Sequence, residues 1–84
     1  MKYQIQLLEK AKKELDKIPF VYQQKIFKSF ELLSQNPFLG KKLKGELKDY
    51  YFLKIWPYRI IYEVDKKRSV VVIFKIGHRQ GIYL

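Results

Sequence analysis

The chain has 84 residues, and its 18 Lys and Arg against 8 Asp and Glu give a formal charge of +10. This is one small domain, 1–84, whose 48% hydrophobic and 17% aromatic content can fill a core, and whose charge suits nucleic acid, an acidic protein, or solubility alone. With no cysteine, a single histidine and no run near the ~18 apolar residues of a membrane span, disulfide frameworks and structural zinc are excluded, and a soluble cytoplasmic protein with no membrane partner, metal or cofactor is expected.

Tyr3, Ile5 and Leu7 alternate with Lys2, Gln4 and Gln6, which predicts a half-buried strand over 2–7. From Leu8 the period changes. Leu8, Ala11, Leu15 and Ile18 share one helical stripe, while Lys10, Lys12, Lys13, Asp16 and Lys17 occupy the other side. Pro19 ends this helix and opens a second, whose stripe is Tyr22, Ile26, Phe30 and Leu33 with Phe27 alongside, closed by Asn36-Pro37. Residues 37–49 have two glycines, four lysines and no clean period, so a connecting loop is expected, with Lys41, Lys42, Lys44 and Lys48 charging one rim.

Three strands follow, at about 50–56, 58–65 and 69–77, with Asp65-Lys66-Lys67-Arg68 as a polar turn. Placing Trp56 and Pro57 in the first turn sets Ile55 opposite Tyr58 and Lys54 opposite Arg59. Val70 to Phe74 is almost continuously apolar, the pattern of a strand inside the sheet. The order β-α-α-β-β-β predicts an α+β fold, with two N-terminal helices packed on one face of a mostly antiparallel four-stranded sheet.

Alternation assigns Leu53, Ile55, Tyr58, Ile60, Tyr62 and Val64 to the core and turns Phe52, Lys54, Arg59, Ile61 and Glu63 to the opposite face. Like charges directly across a ladder repel, so Lys54 and Arg59 either splay into water or await an anion. If the last strand pairs with the one before it, the tail brings His78, Arg79 and Tyr83 within reach of them. Lys54, Arg59, His78, Arg79 and Tyr83, with Phe52 or Tyr50 as stacking surfaces, have no Ser or Cys nucleophile beside an evident base. The set suits a phosphodiester that supplies its own nucleophile. An RNA 2′-OH can attack the adjacent phosphate if a protein orients the strand, moves two protons and stabilises phosphoryl charge. Arginine forks grip the oxygens and aromatic rings hold splayed bases.

The blocks Leu43-Lys44-Gly45, Tyr51-Phe52-Leu53-Lys54-Ile55, Tyr58-Arg59-Ile60-Ile61-Tyr62-Glu63-Val64 and Ile76-Gly77-His78-Arg79 through Tyr83 resemble the RelE/ParE superfamily of toxin-antitoxin toxins over essentially the whole domain. The resemblance implies a RelE-like microbial RNase-type fold. In the RelE branch it implies a ribosome-dependent, metal-independent messenger RNA endonuclease that inhibits translation by cutting messenger RNA in the ribosomal A site. By position, Lys54 corresponds to a catalytic lysine, Arg59 to the phosphate-binding arginine, Arg79 to the arginine near the leaving group and Tyr83 to the tyrosine that stacks on or orients the cut nucleotide. His78 falls where relatives carry lysine or histidine and could serve as acid or base. The position two before Lys54 is basic in the best-known members and is Phe52 here, where a ring offers RNA stacking instead of charge.

Two other functions share the scaffold. One is a non-enzymatic DNA gyrase inhibitor of the ParE type, and the other is an RNA-binding domain without activity. Either toxin reading implies a cognate acidic antitoxin that crosses the cationic face.

Overall fold

The computed structural model describes residues 2–78, in the order β1 (Gln4–Leu7), α1 (Glu9–Asp16), α2 (Phe20–Gln35), β2 (Lys41–Lys42), β3 (Tyr50–Ile55), β4 (Tyr58–Asp65) and β5 (Val70–His78). The strands form one mixed sheet ordered β1-β5-β4-β3-β2, with β1 parallel to β5 and every other pair antiparallel. The four predicted strands are all present. The fifth, β2, arises inside the segment expected to be a loop. Its two lysines carry no strand pattern of their own, and pairing of Lys41 with Phe52 and Lys42 with Tyr51 creates it.

Both helices lay their apolar stripes on one face of the sheet. Ala11 and Leu15 from the first, Ile18 from the connection, and Ile26, Phe30 and Leu33 from the second pack with Ile60, Tyr62, Val71, Ile73 and Ile76 in one buried cluster. Truncating one of these large side chains would cost about 2–5 kcal/mol. The three residues between the helices are held by hydrogen bonds. The Gln23 side chain donates from Nε2 to the carbonyl of Leu15 at 2.9 Å, a carbonyl that also accepts the Ile18 N–H at 3.0 Å. Farther along α2, the Tyr3 N–H donates to the Ser34 carbonyl at 2.8 Å and the Ser34 hydroxyl donates back to the Tyr3 carbonyl at 2.6 Å. The start of β1 is thereby tied to the end of α2.

A bulge in β5 fixes which residues face which way. Its partner β4 steps from Ile61 to Tyr62 while β5 goes from Lys75 to Ile73, leaving Phe74 as an extra residue. Val71 and Ile73 are 0% exposed and Ile76 is 1% exposed, so the inward set skips two residues after Ile73. Lys75, Ile76, Gly77 and His78 therefore face opposite to what simple alternation predicts.

The same region loses its parallel neighbour. The Leu8 N–H still bonds the Ile73 carbonyl at 3.2 Å, but beyond it the chain turns into α1. Past the end of β1, the Ile76 N–H is taken by the Glu14 carboxylate of α1 at 3.0 Å. A helix side chain thus continues the ladder where the strand stops.

Candidate functional site

The face of the sheet away from the helices presents residues in rows set by strand register. The row nearest the Trp56-Pro57 turn is Lys54, Arg59 and Gly77, from β3, β4 and β5. The pairing of Lys54 with Arg59, and of Ile55 with Tyr58, is the one the sequence predicts. Lys54 is exposed and Arg59 half-buried. The Arg59 guanidinium lies 5.7 Å from the centre of the Phe52 ring, a cation–π contact that holds it over the face. On its other flank Gly77 adds no side chain to the row.

The second row is Lys41, Phe52, Ile61 and Lys75, across β2 to β5. The third is Tyr50, Glu63 and Val72. Tyr50 and Phe74 come from the strands that flank β4, and their rings meet above it with centroids 5.2 Å apart. Ile61, on β4, is 6% exposed despite belonging to the face without helices. Cations and flat apolar surface therefore alternate within two or three residues of one another.

The structure separates the residues proposed from sequence. Lys41, Phe52, Lys54 and Arg59 share the open face. Lys42 pairs with Tyr51, which stacks on Tyr62 at 5.4 Å in the helix-side layer, so Lys42 belongs to that side. Lys44 and Lys48 are exposed at either end of a 3-10 turn, Gly45–Leu47, outside the rows. His78 requires a correction. It pairs with Tyr58 and meets that ring edge-on at 5.9 Å, while Tyr58 in turn contacts Tyr22 of α2 at 5.5 Å. The extra residue of the bulge moves His78 from the open face, where unbroken alternation puts it, to the helix side. Arg79 and Tyr83 lie outside the described residues.

Two residues of the open face escaped the sequence reading, Phe74 and Lys75. The signal was a lysine interrupting the apolar run Val70 to Ile76, since a charge inside an interior strand needs a reason. On the helix side, the Gly40 N–H donates to the Tyr62 hydroxyl at 2.8 Å, and burial raises the pKa of that phenol above its ordinary value. A Cβ at Gly40 would stand 2.6 Å from both the Phe52 carbonyl oxygen and the Tyr62 hydroxyl, so only glycine lets the segment before β2 close on the sheet.

Chemically, the open face can hold a polyanion and stack flat groups, using lysine and arginine as donors and rings as a floor. The topology is that of small toxins of toxin-antitoxin systems. Residues 5–83 match the ParE toxin family, described as the ParE toxin of type II toxin-antitoxin systems, parDE. The chain belongs to this family, within the RelE/ParE superfamily. It is 31% identical over 85 residues to Toxin RelG of Mycobacterium tuberculosis, covering 99% of this chain and 98% of that one. Among solved structures it resembles a chain of the toxin-antitoxin complex RelBE2 from the same organism, with a TM-score of 0.87, 28% identity and coverage of 94% and 100%. It also resembles a mutant of the Escherichia coli toxin RelE in the free state, with a TM-score of 0.84, 26% identity and coverage of 98% and 88%.

Proposed function

We propose that this toxin is a ribosome-dependent messenger RNA endonuclease of the RelE type, acting in the cytoplasm without a metal. The observation that carries the reading is the direct pairing of Lys54 with Arg59 on the open face, with Phe52 beneath the guanidinium. Two cations held side by side make a seat for one phosphodiester. Arg59 would grip two phosphoryl oxygens and Lys54 would offset the charge that grows as the ribose 2′-OH gives up its proton and attacks phosphorus; the bond from phosphorus to the 5′ oxygen breaks, that oxygen takes up a proton, and the products are a 2′,3′-cyclic phosphate and a 5′-hydroxyl end. Because His78 faces Tyr58, the proposal rests on Lys54 and Arg59, with Arg79 and Tyr83 added by their positions in the family pattern.

Such a set is weak at moving protons, so most of the acceleration has to come from orientation of the strand. A ribosome presenting messenger RNA in its A site supplies that orientation. The same cationic face would be covered in the resting state by a cognate acidic antitoxin, as charge complementarity favours.

The test is induced expression followed by mapping of transcript 5′ ends, with and without ongoing translation. Cuts within codons that vanish when translation is blocked support the proposal. A second reading, gyrase inhibition without catalysis, is favoured by Phe52 at a position that is basic in the best-known RelE members and by the match to the ParE family. Intact messages with accumulating DNA breaks would establish it instead.

A further inference from the structure

Within the Lys41, Phe52, Ile61 and Lys75 row, one side chain is explained neither by packing nor by pairing. Lys75 is 9% exposed, and its side chain makes no hydrogen bond or ion pair with any described residue. Lysine is rarely buried this far, and the cost stays small only where the stem is covered and the charged end keeps its water or a partner. The acidic residues of β4 on the same face, Glu63 opposite Val72 and Asp65 opposite Val70, sit in other rows and do not pair with it.

The fold nevertheless leaves the charged end accessible. No buried side-chain nitrogen or oxygen among the described residues lacks a partner, so the unpartnered Lys75 ammonium reaches solvent while its stem is covered. The bulge determines where it emerges. With Ile73 and Ile76 both turned to the helices, Phe74 and Lys75 are left on the open side, and Lys75 pairs in register with Ile61 of that face.

We propose that Lys75 is a second phosphate-binding residue of the RNA interface, gripping the phosphate next along the strand from the one seated on Lys54 and Arg59. The two rows are two residues apart along the strands, about 7 Å, a spacing that an extended single strand can span from one phosphate to the next. Gly77 puts no side chain beside Arg59 on the way. Phe52 and Ile61 lie between the cations, and the Tyr50 and Phe74 rings stand beyond, so a base between the two phosphates meets an apolar surface. Lys75 thus supplies from β5 the positive charge that Phe52 does not bring on β3.

The inference rests on the RNA-cleaving reading, and its test separates the two. Lys75→Met keeps the stem and removes the charge, whereas Lys75→Arg keeps the charge. Circular dichroism and thermal melts establish that each folds, and Lys75→Gln replaces the Met variant if that one does not. Each purified protein is titrated onto a single-stranded RNA with methylated 2′ oxygens, which can be bound but not cut, and separately into a translating extract. Lys75→Met is expected to bind the methylated strand about tenfold more weakly, the loss of one charge-assisted contact. The slope of log affinity against log salt should fall by about 0.7. In the extract, the toxin concentration for half-maximal cleavage should rise while the maximal rate stays within about threefold, and Lys75→Arg should restore both. If the wild type cuts message but does not hold the free strand, the extract titration decides alone. A wild type that cuts message, beside a folded charge-free variant that matches it in every readout, overturns the Lys75 assignment and leaves the endonuclease reading intact. A wild type that neither binds the strand nor cuts message overturns both.

Discussion

Glu14 and Ile76, 62 residues apart in sequence, are joined by a hydrogen bond from the Ile76 backbone N–H to the Glu14 Oε1 at 3.0 Å. This contact fastens α1 to β5 one step beyond the last ladder bond of β1, and just after the bulge that orients the end of β5. Removing the carboxylate leaves a half-buried backbone donor without its acceptor. Glu14→Ala should therefore destabilise the fold by about 1–3 kcal/mol in urea denaturation, while Glu14→Gln, which still offers an oxygen, should lose less. Equal midpoints for wild type and Glu14→Ala would show that the bond is dispensable.

Tyr62 predicts a pH dependence. Burial raises its pKa above the ordinary 10.0, so the folded protein holds a proton that the unfolded chain releases near that value. Its contribution is fully present below about pH 10 and is lost as pH rises through the folded-state value. The stability advantage of wild type over Tyr62→Phe, which leaves the Gly40 N–H unpaired, should hold steady from neutral pH to about pH 9 and shrink above about pH 10. Denaturation midpoints of both proteins across that range test the sign. A gap that widens in base contradicts it.

Arg59 should be sensitive to shape as well as charge. Arg59→Lys keeps one positive charge but loses the fork that grips two oxygens and the flat contact with Phe52. Cleavage in a translating extract should fall about 10²-fold for Arg59→Ala, and Arg59→Lys should recover only part of that loss. Thermal melts should be little changed, since Arg59 lies outside the buried cluster. Full activity in the Ala variant would remove Arg59 from the proposed mechanism.

Phe52→Lys tests the departure from the basic pattern. It places a cation in the row between Lys41 and Ile61 and beside the Arg59 charge, at the expense of a ring contact. Cleavage should rise about tenfold, less than the ~10² available from a well-placed acid or base, because Arg59 loses the ring that holds it. Unchanged or lower cleavage would mean that the ring, not the missing charge, is what this toxin uses at that position. The comparison is made at matched protein concentration with transcript 5′ ends counted.

Much of the architecture was legible because local and tertiary preferences agree. The Trp56-Pro57 turn and the Lys54 to Arg59 pairing follow from two-residue hairpin geometry and are found as expected, and the helix period picks out Ala11, Leu15, Ile26, Phe30 and Leu33 of the core, although Phe27 beside the second stripe is exposed and Ile18 lies past the end of α1. What sequence could not show depends on contacts made elsewhere in the chain. The strand Lys41–Lys42 exists only because β3 offers it an edge. The bulge at Phe74 sits in an apolar run where any register looks acceptable, so one extra residue reversed His78 without leaving a local mark. Lys75 is the one departure visible within that run.

The parallel pairing of Gln4 with Val70 joins the beginning of the described chain almost to its end. During biosynthesis β1 leaves the ribosome first yet has no sheet to enter until β5 has been made, and Val71, Ile73 and Ile76 reach the core equally late. A nascent polypeptide interrupted before β5 lacks the interior strand, the partner of β1 and the Glu14 anchor together. Without β5 the open face also lacks Gly77 and Lys75 beside Arg59 and Ile61, so its rows are completed only by the strand that is made last among those described.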